Sequence, residues 1–328
     1  MTHQTAVFAS PASGKLRLAA WRVVGNVQSR LGGFPGSWRL SMLKAKILGQ
    51  NKYVPVKYLR DYTVWICPKH VMDRDVARGK VHEPEVQRLL SGFVRAGYSY
   101  FDIGANIGLH LIPAASNRVS DSQVFVAVEP EPTLFSLLER NLICNSLGFV
   151  QAHRCGLGDS CLRTQLYLSA GDNKGEHSLF ADQPGQPMVE VDIVTLDHLC
   201  QGIGRDVTES SLLFKIDTEG SEPLVLAGGR EVLSSPKELA LVIEVHPAHL
   251  LRAGHSPQEL LSVLEELGCR LFQLDIKGKA DPKDGFYLDG DKGEDWYANV
   301  LAVRGEQTLS LVDKLLVPVR SGRLGAQG

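Results

Sequence analysis

Two features that mark other protein classes are missing from this chain of 328 residues. No apolar run reaches the roughly 18–20 residues that a helix needs to cross a bilayer, so the sequence has no typical membrane-span pattern. No C-x-x-C pair occurs among the six scattered cysteines Cys67, Cys144, Cys155, Cys161, Cys200 and Cys269. This spacing disfavours a disulfide framework or a zinc site and predicts buried thiols in a reducing cytoplasm.

Acidic residues are absent from residues 1–60, which carry ten Lys or Arg. A basic arm of this kind attracts an anionic lipid surface, an acidic glycan or nucleic acid. Its acid-poor composition is also typical of an organellar transit segment, and the plainer alternative is a solvated extension whose helices dock on the acidic remainder. The N-terminus lacks the apolar stretch of a secretory signal. We expect a cytoplasmic protein, with contact between residues 1–60 and the inner membrane face as one of these alternatives.

The chain predicts an α/β protein. Helix-like spacing occurs at 15–31 and 38–48, a strand-like hairpin at 53–67, and an amphipathic helix begins at Glu83. Apolar strand candidates then follow at 99–103, 124–129, 149–155, 212–217, 239–245, 269–275 and 299–303. Helical segments lie between them at 107–117, 132–147, 222–234 and 256–268. Continuous apolar strands separated by helices predict a mainly parallel sheet covered on both faces, with an inserted β-hairpin between 159 and 200.

The stretch SYFDIGANIG (99–108) is the first candidate for a ligand site. A buried strand ends here, and Asp102, Gly104, Asn106 and Gly108 follow before another apolar run. A βα turn with two glycines brings backbone close to a ligand, as in sites for dinucleotides, nucleotide phosphates or S-adenosylmethionine (SAM).

Glu129, at the end of the next predicted strand, narrows the choice of ligand. In doubly wound folds an acidic residue at this place accepts hydrogen bonds from ribose hydroxyls, so the pair of motifs indicates an adenosine-type ligand. The loop reads G-A-N-I-G and is neither the G-x-G-x-x-G of a dinucleotide site nor a phosphate-binding P-loop. SAM fits better, because Asp102 and the loop backbone can receive its ammonium and carboxylate.

Ionisable residues also end two later strands. KIDTEGSEP places Lys215, Asp217 and Glu219 after the fourth predicted strand, and IEVHP places Glu244 and His246 after the fifth. Open α/β sheets bind ligands at the carboxyl ends of their strands, so we expect these side chains to share a site. The alternative for Asp217 and Glu219 is helix capping, and a lone histidine is more often structural than catalytic.

Taken in order, DIGANIG, VEPEP, the GLGD of 156–159, VDIVTLDHL, KIDTEGSEPLVLAGG, IEVHP and NVLAV resemble the FkbM family of SAM-dependent methyltransferases. The match spans about residues 80–305, and the HEPE of 82–85 resembles the family's segment before the first strand. The domain boundaries that follow are a basic N-terminal extension at 1–80, a methyltransferase domain at 81–305 and a tail at 306–328.

The resemblance implies a class I methyltransferase fold, with a seven-stranded, mostly parallel sheet and one antiparallel strand near its end. It also implies that Asp102, Gly104, Asn106 and Gly108 line the methionine end of SAM. Glu129 would then hold the ribose, and Asp159 would lie near the adenine. Family members commonly methylate hydroxyl groups, especially those of sugars, so a sugar-containing acceptor is the implied partner.

The catalytic candidates are Asp217, Glu219, Glu244 and His246. His177 of the inserted loop is a less favoured candidate. A sugar hydroxyl is a poor nucleophile near neutral pH, so a general base or a metal should assist it. His246 or Asp217 would take the proton, or Asp217 and Glu244 would hold a divalent cation. Two other hypotheses remain. One is a nucleic-acid methyltransferase that uses the basic arm, which is weakened because no DPPY- or NPPY-like run follows the strand ending at Asp217. The other is a non-catalytic SAM-binding protein.

Overall fold

The structure is a computed structural model that describes residues 53–67, 70–169, 175–203, 207, 210–274, 280–282 and 298–316, the backbone alone at 280–282. The helices predicted at 15–31 and 38–48, and the whole basic arm up to residue 52, lie outside the described residues. None of the helices in the described part of the chain has the length and apolar character that crossing a bilayer requires.

The described residues form thirteen strands and ten helices. The strands are β1 (Val54–Tyr58), β2 (Tyr62–Ile66), β3 (Ser99–Ile103), β4 (Phe125–Val128), β5 (Gln151–His153), β6 (Gly156–Leu157), β7 (Leu162–Tyr167), β8 (Met188–Val194), β9 (Leu212–Ile216), β10 (Leu239–Val245), β11 (Arg270–Leu274), β12 (Ala280–Pro282) and β13 (Ala298–Arg304). The helices are α1 (Val71–Ala77), α2 (Pro84–Arg95), α3 (Leu111–Ala115), α4 (Pro132–Cys144), α5 (Leu196–Gln201), α6 (Glu222–Ala227), α7 (Arg230–Ser234), α8 (Pro247–Arg252), α9 (Pro257–Glu266) and α10 (Glu306–Leu316).

The main sheet has the order β12-β11-β13-β10-β9-β3-β4-β5. Strands β5, β4, β3, β9 and β10 run parallel, and β13 lies antiparallel between β10 and β11. The seven predicted strands are therefore present in the predicted mostly parallel sheet, and the short β12 adds an eighth at the edge. The chain leaves β3 in one direction toward β4 and returns to its other side with β9, so a topological switch point lies between β3 and β9.

Two hydrophobic clusters cover the two faces of this sheet. One contains Leu213 together with the buried face of α2, and the other contains Phe214 and Ile216. Because strand side chains alternate between faces, Lys215 lies on the Leu213 face, and its register partner on β3 is Asp102. Two charged side chains are thus adjacent within an otherwise apolar sheet.

The predicted inserted hairpin is present, and it is part of a larger unit. Strands β7 and β8 pair antiparallel, and the two-residue β6 pairs parallel with β8 to make a three-stranded sheet. The prediction did not include β6 as a strand. Its glycine, Gly156, lies against Ile193 of β8, where a Cβ would come within 2.6 Å of that side chain.

The helix predicted at 222–234 is wrong as a single helix, because the structure divides it into α6 and α7. Gly228 and Gly229 separate the two. A Cβ on Gly228 would lie 2.0 Å from the carbonyl oxygen of Gly158, and one on Gly229 would meet Leu196. The helix therefore breaks because these two glycines pack closely against Gly158 and Leu196. The periodicity of the sequence carries no information about such contacts.

The hairpin predicted at 53–67 is the antiparallel pair β1–β2, and it packs in the same core as α4. The fully buried Asn141 of α4 joins the two. Its Oδ1 accepts a hydrogen bond from the Trp65 amide at 2.6 Å, and its Nδ2 donates to the carbonyl of Ile107 at 2.9 Å. One side chain thereby links this hairpin to the loop that follows β3.

The cysteines differ in part from the predicted buried thiols. Cys67, Cys155, Cys200 and Cys269 are buried free thiols, whereas Cys144 and Cys161 are exposed. Cys144 is the last residue of α4, on its solvent side, which explains its exposure.

Candidate active site

A cleft of about 1050 Å³ opens at the carboxyl ends of β3, β4, β9 and β10, beside the switch point. Most of the predicted site residues line it: Asp102, Gly104, Asn106, Glu129, Asp217, Glu219, Glu244 and His246, together with the less favoured candidate His177. Two predicted residues, Gly108 and Asp159, do not line it. The parallel strands end together at this edge, which is why residues far apart in sequence meet there.

The glycine-rich loop is shaped by left-handed backbone. Gly104, Asn106 and Gly108 have φ values of 82°, 50° and 87°. A Cβ on Gly104 would lie 1.9 Å from the carbonyl oxygen of Asp217, so no larger residue fits there. Gly108 acts in packing, since its Cβ would come within 2.9 Å of Leu138 on α4.

Asp102 is the most deeply buried acid of the cleft wall, with 1% of its surface exposed. Among the described residues, neither of its carboxylate oxygens makes a well-aligned hydrogen bond. Burial raises the pKa of Asp102, and the neighbouring Lys215 opposes that shift. A buried carboxylate without hydrogen bonds is a site for a cationic ligand group, because such a group would supply the missing partners.

Glu129 holds the loop from the end of β4. Its Oε2 accepts a hydrogen bond from the Asn106 amide at 2.9 Å, and its Oε1 accepts one from the Glu131 amide at 2.9 Å. Burial raises the pKa of Glu129 to about 8. Each carboxylate oxygen retains a further lone pair, so this side chain can both order the loop and accept hydrogen bonds from a vicinal diol.

Asp159 lies apart from these residues. Its side chain is exposed, and its Oδ1 accepts a hydrogen bond from the Ser160 hydroxyl at 2.9 Å. Gly156 and Leu157, which precede it, line the cleft beside Glu129 and Pro130. The contact between Asp159 and an adenine stays a prediction.

Lys215 and Asp217 form an ion pair across the cleft floor. The Nζ atom of Lys215 lies 2.8 Å from Oδ2 of Asp217, and the lysine side chain is only 4% exposed. Burial by itself would lower the pKa of Lys215, but the carboxylates of Asp217 and Asp102 raise it above its usual value. The lysine therefore stays charged and balances two acids on the same face of the sheet.

The turn after Asp217 is built around Glu222, the first residue of α6. Its Oε1 accepts hydrogen bonds from the Thr218 amide at 2.8 Å and the Thr218 hydroxyl at 3.0 Å, and its Oε2 accepts one from the Gly220 amide at 3.1 Å. Glu219 has a φ of 56°, an unusual conformation for a residue with a side chain. Burial and the charges of Asp217 and Glu222 raise the pKa of Glu219 well above its usual value.

Glu244 and two histidines complete this wall. Glu244 follows Val242 on the same face of β10 as Lys215, and burial together with Asp217 and Glu219 raises its pKa well above the usual range. The rings of His246 and His249 stack with centroids 3.7 Å apart and planes 10° apart. His249 belongs to α8, and the sequence motifs did not single it out.

A second polar group that lines the same cleft was only partly anticipated. Glu83 of the HEPE segment has a φ of 37°, its Oε2 lies 3.0 Å from Nε2 of His110, and its Oε1 accepts a hydrogen bond from Nδ2 of Asn299 at 2.8 Å. Burial opposes ionisation of Glu83, but His110 and His82 lower its pKa well below the usual range. Burial and the neighbouring His110 lower the pKa of His82 to about 4.

The sheet order and the cleft together define the class. Five parallel strands flank a switch point, one antiparallel strand lies between β10 and β11, and a glycine-rich turn after β3 faces an acid at the end of β4. This is the class I methyltransferase fold that the sequence resemblance predicted.

Comparisons with known proteins identify the family. The model of the "Methyltransferase FkbM domain" matches residues 102–271, which is more than half of the chain. The chain therefore belongs to the FkbM family of SAM-dependent methyltransferases. Methyltransferase 1 of Beauveria bassiana (strain ARSEF 2860) is 31% identical over 145 residues, a match that covers 39% of this chain and 56% of that protein.

Solved structures of methyltransferases are also similar in part. The FkbM methyltransferase of Methylobacillus flagellatus KT is 19% identical, with 62% of this chain and 43% of that chain covered and a TM-score of 0.35. An O-methyltransferase from Bacillus cereus in complex with SAH is 12% identical, with 67% and 81% covered and a TM-score of 0.38.

Proposed function

We propose that this chain transfers the methyl group of SAM to a hydroxyl group of a sugar. The observation that carries the proposal is the joining of two residue sets in one cleft. Asp102 and Glu129 lie on one side of it, and Asp217, Glu219, Glu244 and His246 lie on the other. The first set has the chemistry of an adenosine and ammonium site, and the second has that of a hydroxyl-binding site.

The buried carboxylate of Asp102, whose oxygens make no aligned hydrogen bond within the described residues, supports the cofactor assignment. Its two buried oxygens would bind the ammonium of the methionine end, and Glu129 would accept the ribose hydroxyls. Gly104 lets the loop pack directly against the carbonyl of Asp217, which fixes the loop beside that end. When bound, SAM supplies a sulfonium-linked methyl group, which is the electrophile of the reaction.

The second set supports a hydroxyl acceptor. Carboxylates and imidazoles accept hydrogen bonds from O–H groups, and a sugar offers several such groups at neighbouring carbons. These side chains would orient one hydroxyl oxygen toward the methyl carbon, since in-line displacement depends mainly on alignment.

His246 is the best-placed proton acceptor in this set. Asp217 is held in an ion pair by Lys215, whereas His246, the residue directly before α8, is stacked on His249. His246 would take the proton that the hydroxyl group loses when it accepts the methyl group of SAM. This would leave the methyl ether, the thioether form of the cofactor and a proton on His246.

A methyl-transfer assay with radiolabelled SAM tests this proposal. Cell-envelope glycolipid, free glycans and RNA serve as parallel acceptors, and we expect label in a sugar-containing product. Label in RNA alone would replace the proposal with the nucleic-acid alternative. Binding of SAM without transfer to any acceptor would favour the non-catalytic alternative.

Two substitutions test the residues. We expect His246→Gln to lower kcat by about 10²–10⁴-fold, the usual contribution of general base catalysis. We expect Asp217→Asn to abolish turnover while SAM binding, measured by calorimetry, stays close to that of the wild type. Full activity in Asp217→Asn would remove Asp217 from the mechanism.

The basic arm suggests where the acceptor lies, and we propose that residues 1–60 contact an anionic membrane surface. Their ten basic and no acidic residues support this. Co-sedimentation of the full chain with phosphatidylserine vesicles should be lost in high salt and absent with phosphatidylcholine. Preferential binding of RNA at equal salt would contradict the proposal.

A further inference from the structure

Three side chains from three separate segments converge on one point in the part of the cleft that we assign to the acceptor. Glu219 comes from the turn after β9, Glu244 from the end of β10 and His249 from α8. Each offers one ligand atom, and these atoms all lie within 4.8 Å of one another. Two carboxylate oxygens and one imidazole nitrogen at this spacing match the donor set of a divalent cation.

The contact between Glu219 and His249 is close, but it is not an aligned hydrogen bond. Oε2 of Glu219 lies 2.6 Å from Nδ1 of His249, but in the part of the chain that the structure describes neither atom makes an aligned hydrogen bond. Both atoms are essentially inaccessible to solvent. Buried polar atoms need a partner, and a cation placed between these two would serve both.

The backbone holds the two side chains in this contact. A Cβ on Gly220 would lie 2.6 Å from the carbonyl oxygen of His249, so the turn and α8 approach as closely as glycine allows. The carbonyl of Glu219 accepts a hydrogen bond from the Ser178 hydroxyl at 2.8 Å. Stacking on His246 fixes the plane of the His249 ring.

The local charge favours a cation. Glu219 and Glu244 lie beside Asp217 and Glu222, and the nearest buried ammonium, Lys215, is paired with Asp217. Burying several carboxylates without a compensating positive charge is costly. A divalent ion at the Glu219–Glu244–His249 cluster would neutralise the negative charge that the single ammonium of Lys215 leaves unbalanced.

We propose that Glu219, Glu244 and His249 bind a divalent cation of the Mn²⁺ or Mg²⁺ type, and that this ion holds two neighbouring hydroxyls of the sugar acceptor. The second half of this inference rests on the proposed function. Three protein ligands leave open coordination positions for two hydroxyl oxygens of a vicinal diol. Binding to the ion would lower the pKa of the hydroxyl and make its proton easier to remove.

Mn²⁺ binding to the full chain tests the site without any acceptor. Electron paramagnetic resonance of free Mn²⁺ during a titration should report one bound ion per chain. Glu219→Gln, Glu244→Gln and His249→Gln should each weaken binding about tenfold or more. Glu190→Gln is the matched control, because that side chain is 58% exposed on β8 and should leave binding unchanged.

Circular dichroism and SAM titration of the same variants separate metal loss from misfolding. We expect folded variants that keep SAM affinity, and partial recovery of Mn²⁺ binding in Glu219→Asp, which retains the carboxylate. Wild-type protein that binds no Mn²⁺, Mg²⁺ or Zn²⁺ at millimolar concentration would overturn the inference. Cluster variants that bind Mn²⁺ as tightly as Glu190→Gln would do the same.

The outcomes for the two proposals are distinct. If the protein binds no metal and still transfers methyl to a sugar at a rate that a chelator does not change, the cation site is overturned and the proposed function stands. Stoichiometric Mn²⁺ binding that depends on the cluster, without transfer to any sugar, would keep the cation site and overturn the proposed function.

Discussion

The ammonium of Lys215 lies 2.8 Å from the carboxylate of Asp217 at the floor of the cleft, two residues further along the same chain. Lys215 is the last but one residue of β9, and Asp217 follows the strand, so both project toward the same edge of the sheet. The pair places a positive charge between Asp102, on the side of the cleft that we assign to the cofactor, and Glu219 and Glu244, on the side that we assign to the acceptor. It therefore couples the two halves of the site.

Removal of the lysine charge should be strongly destabilising. Lys215→Met leaves the buried carboxylates of Asp102 and Asp217 without their cation, and breaking a buried pair in this way costs about 3–5 kcal/mol. Urea unfolding followed by circular dichroism measures the loss. The double variant Lys215→Met with Asp217→Asn should recover part of the lost stability. If Lys215→Met alone stays within about 1 kcal/mol of the wild type, the ion pair does not stabilise the fold as argued.

Asp102→Asn should separate cofactor affinity from stability. The change removes the charge that would bind an ammonium, so SAM affinity should fall about 10–100-fold, as expected for a hydrogen bond to a charged group. Stability without SAM should fall much less than in Lys215→Met, because burial already disfavours the ionised form of Asp102 and Asp217 still pairs with Lys215. Calorimetry and thermal melts check the two effects.

Asp121→Asn is the control for that experiment, since the Asp121 side chain is fully exposed at 100%. It should leave SAM affinity unchanged. If Asp102→Asn bound SAM as tightly as this control, the ammonium would lie elsewhere.

Gly104→Ala should disrupt the cofactor loop through a collision as well as through backbone strain. Both Gly104 and Gly79 have left-handed backbone, with φ values of 82° and 86°, and alanine at either costs about 1–2 kcal/mol. At Gly104 the new Cβ would also meet the Asp217 carbonyl, whereas nothing lies within 4 Å of a Cβ at Gly79. Only Gly104→Ala should lower activity, by about 100-fold.

Melting temperature, SAM titration and methyl-transfer rate, measured for both glycine variants, decide this. Equal losses of SAM affinity in Gly104→Ala and Gly79→Ala would mean that strain alone accounts for the effect.

Glu129→Gln should change the pH dependence of stability. Burial raises the pKa of Glu129 to about 8, so the folded state binds a proton that the unfolded chain releases near its ordinary value of about 4.3. Between these two pH values the wild-type contribution of this group to stability falls as pH rises. The amide cannot ionise, so the melting temperature of the variant, relative to the wild type, should rise from pH 5 to pH 8. A constant difference would show that the carboxyl titrates normally.

Much of the fold could be predicted because it depends on local patterns. The buried strands β3, β9 and β10 appear in the sequence as mostly apolar runs with a charged residue near the end of each. The turn chemistry of DIGANIG and DTEGSEP places glycine where left-handed backbone is required. The break between α6 and α7 could not be predicted, since Gly228 is demanded by the carbonyl of Gly158, a residue distant in the chain.

The candidate site divides in the same way. The sequence by itself determined the acids and glycines that end each strand, because parallel strands bring their carboxyl ends to one edge. Only the tertiary structure decided the partners: His110 and Asn299 meet Glu83 from 27 and 216 residues away, and His249 meets Glu219 through the close approach of α8 to Gly220. Contacts of this kind depend on how helices pack over the sheet, and no periodicity along the chain records that packing.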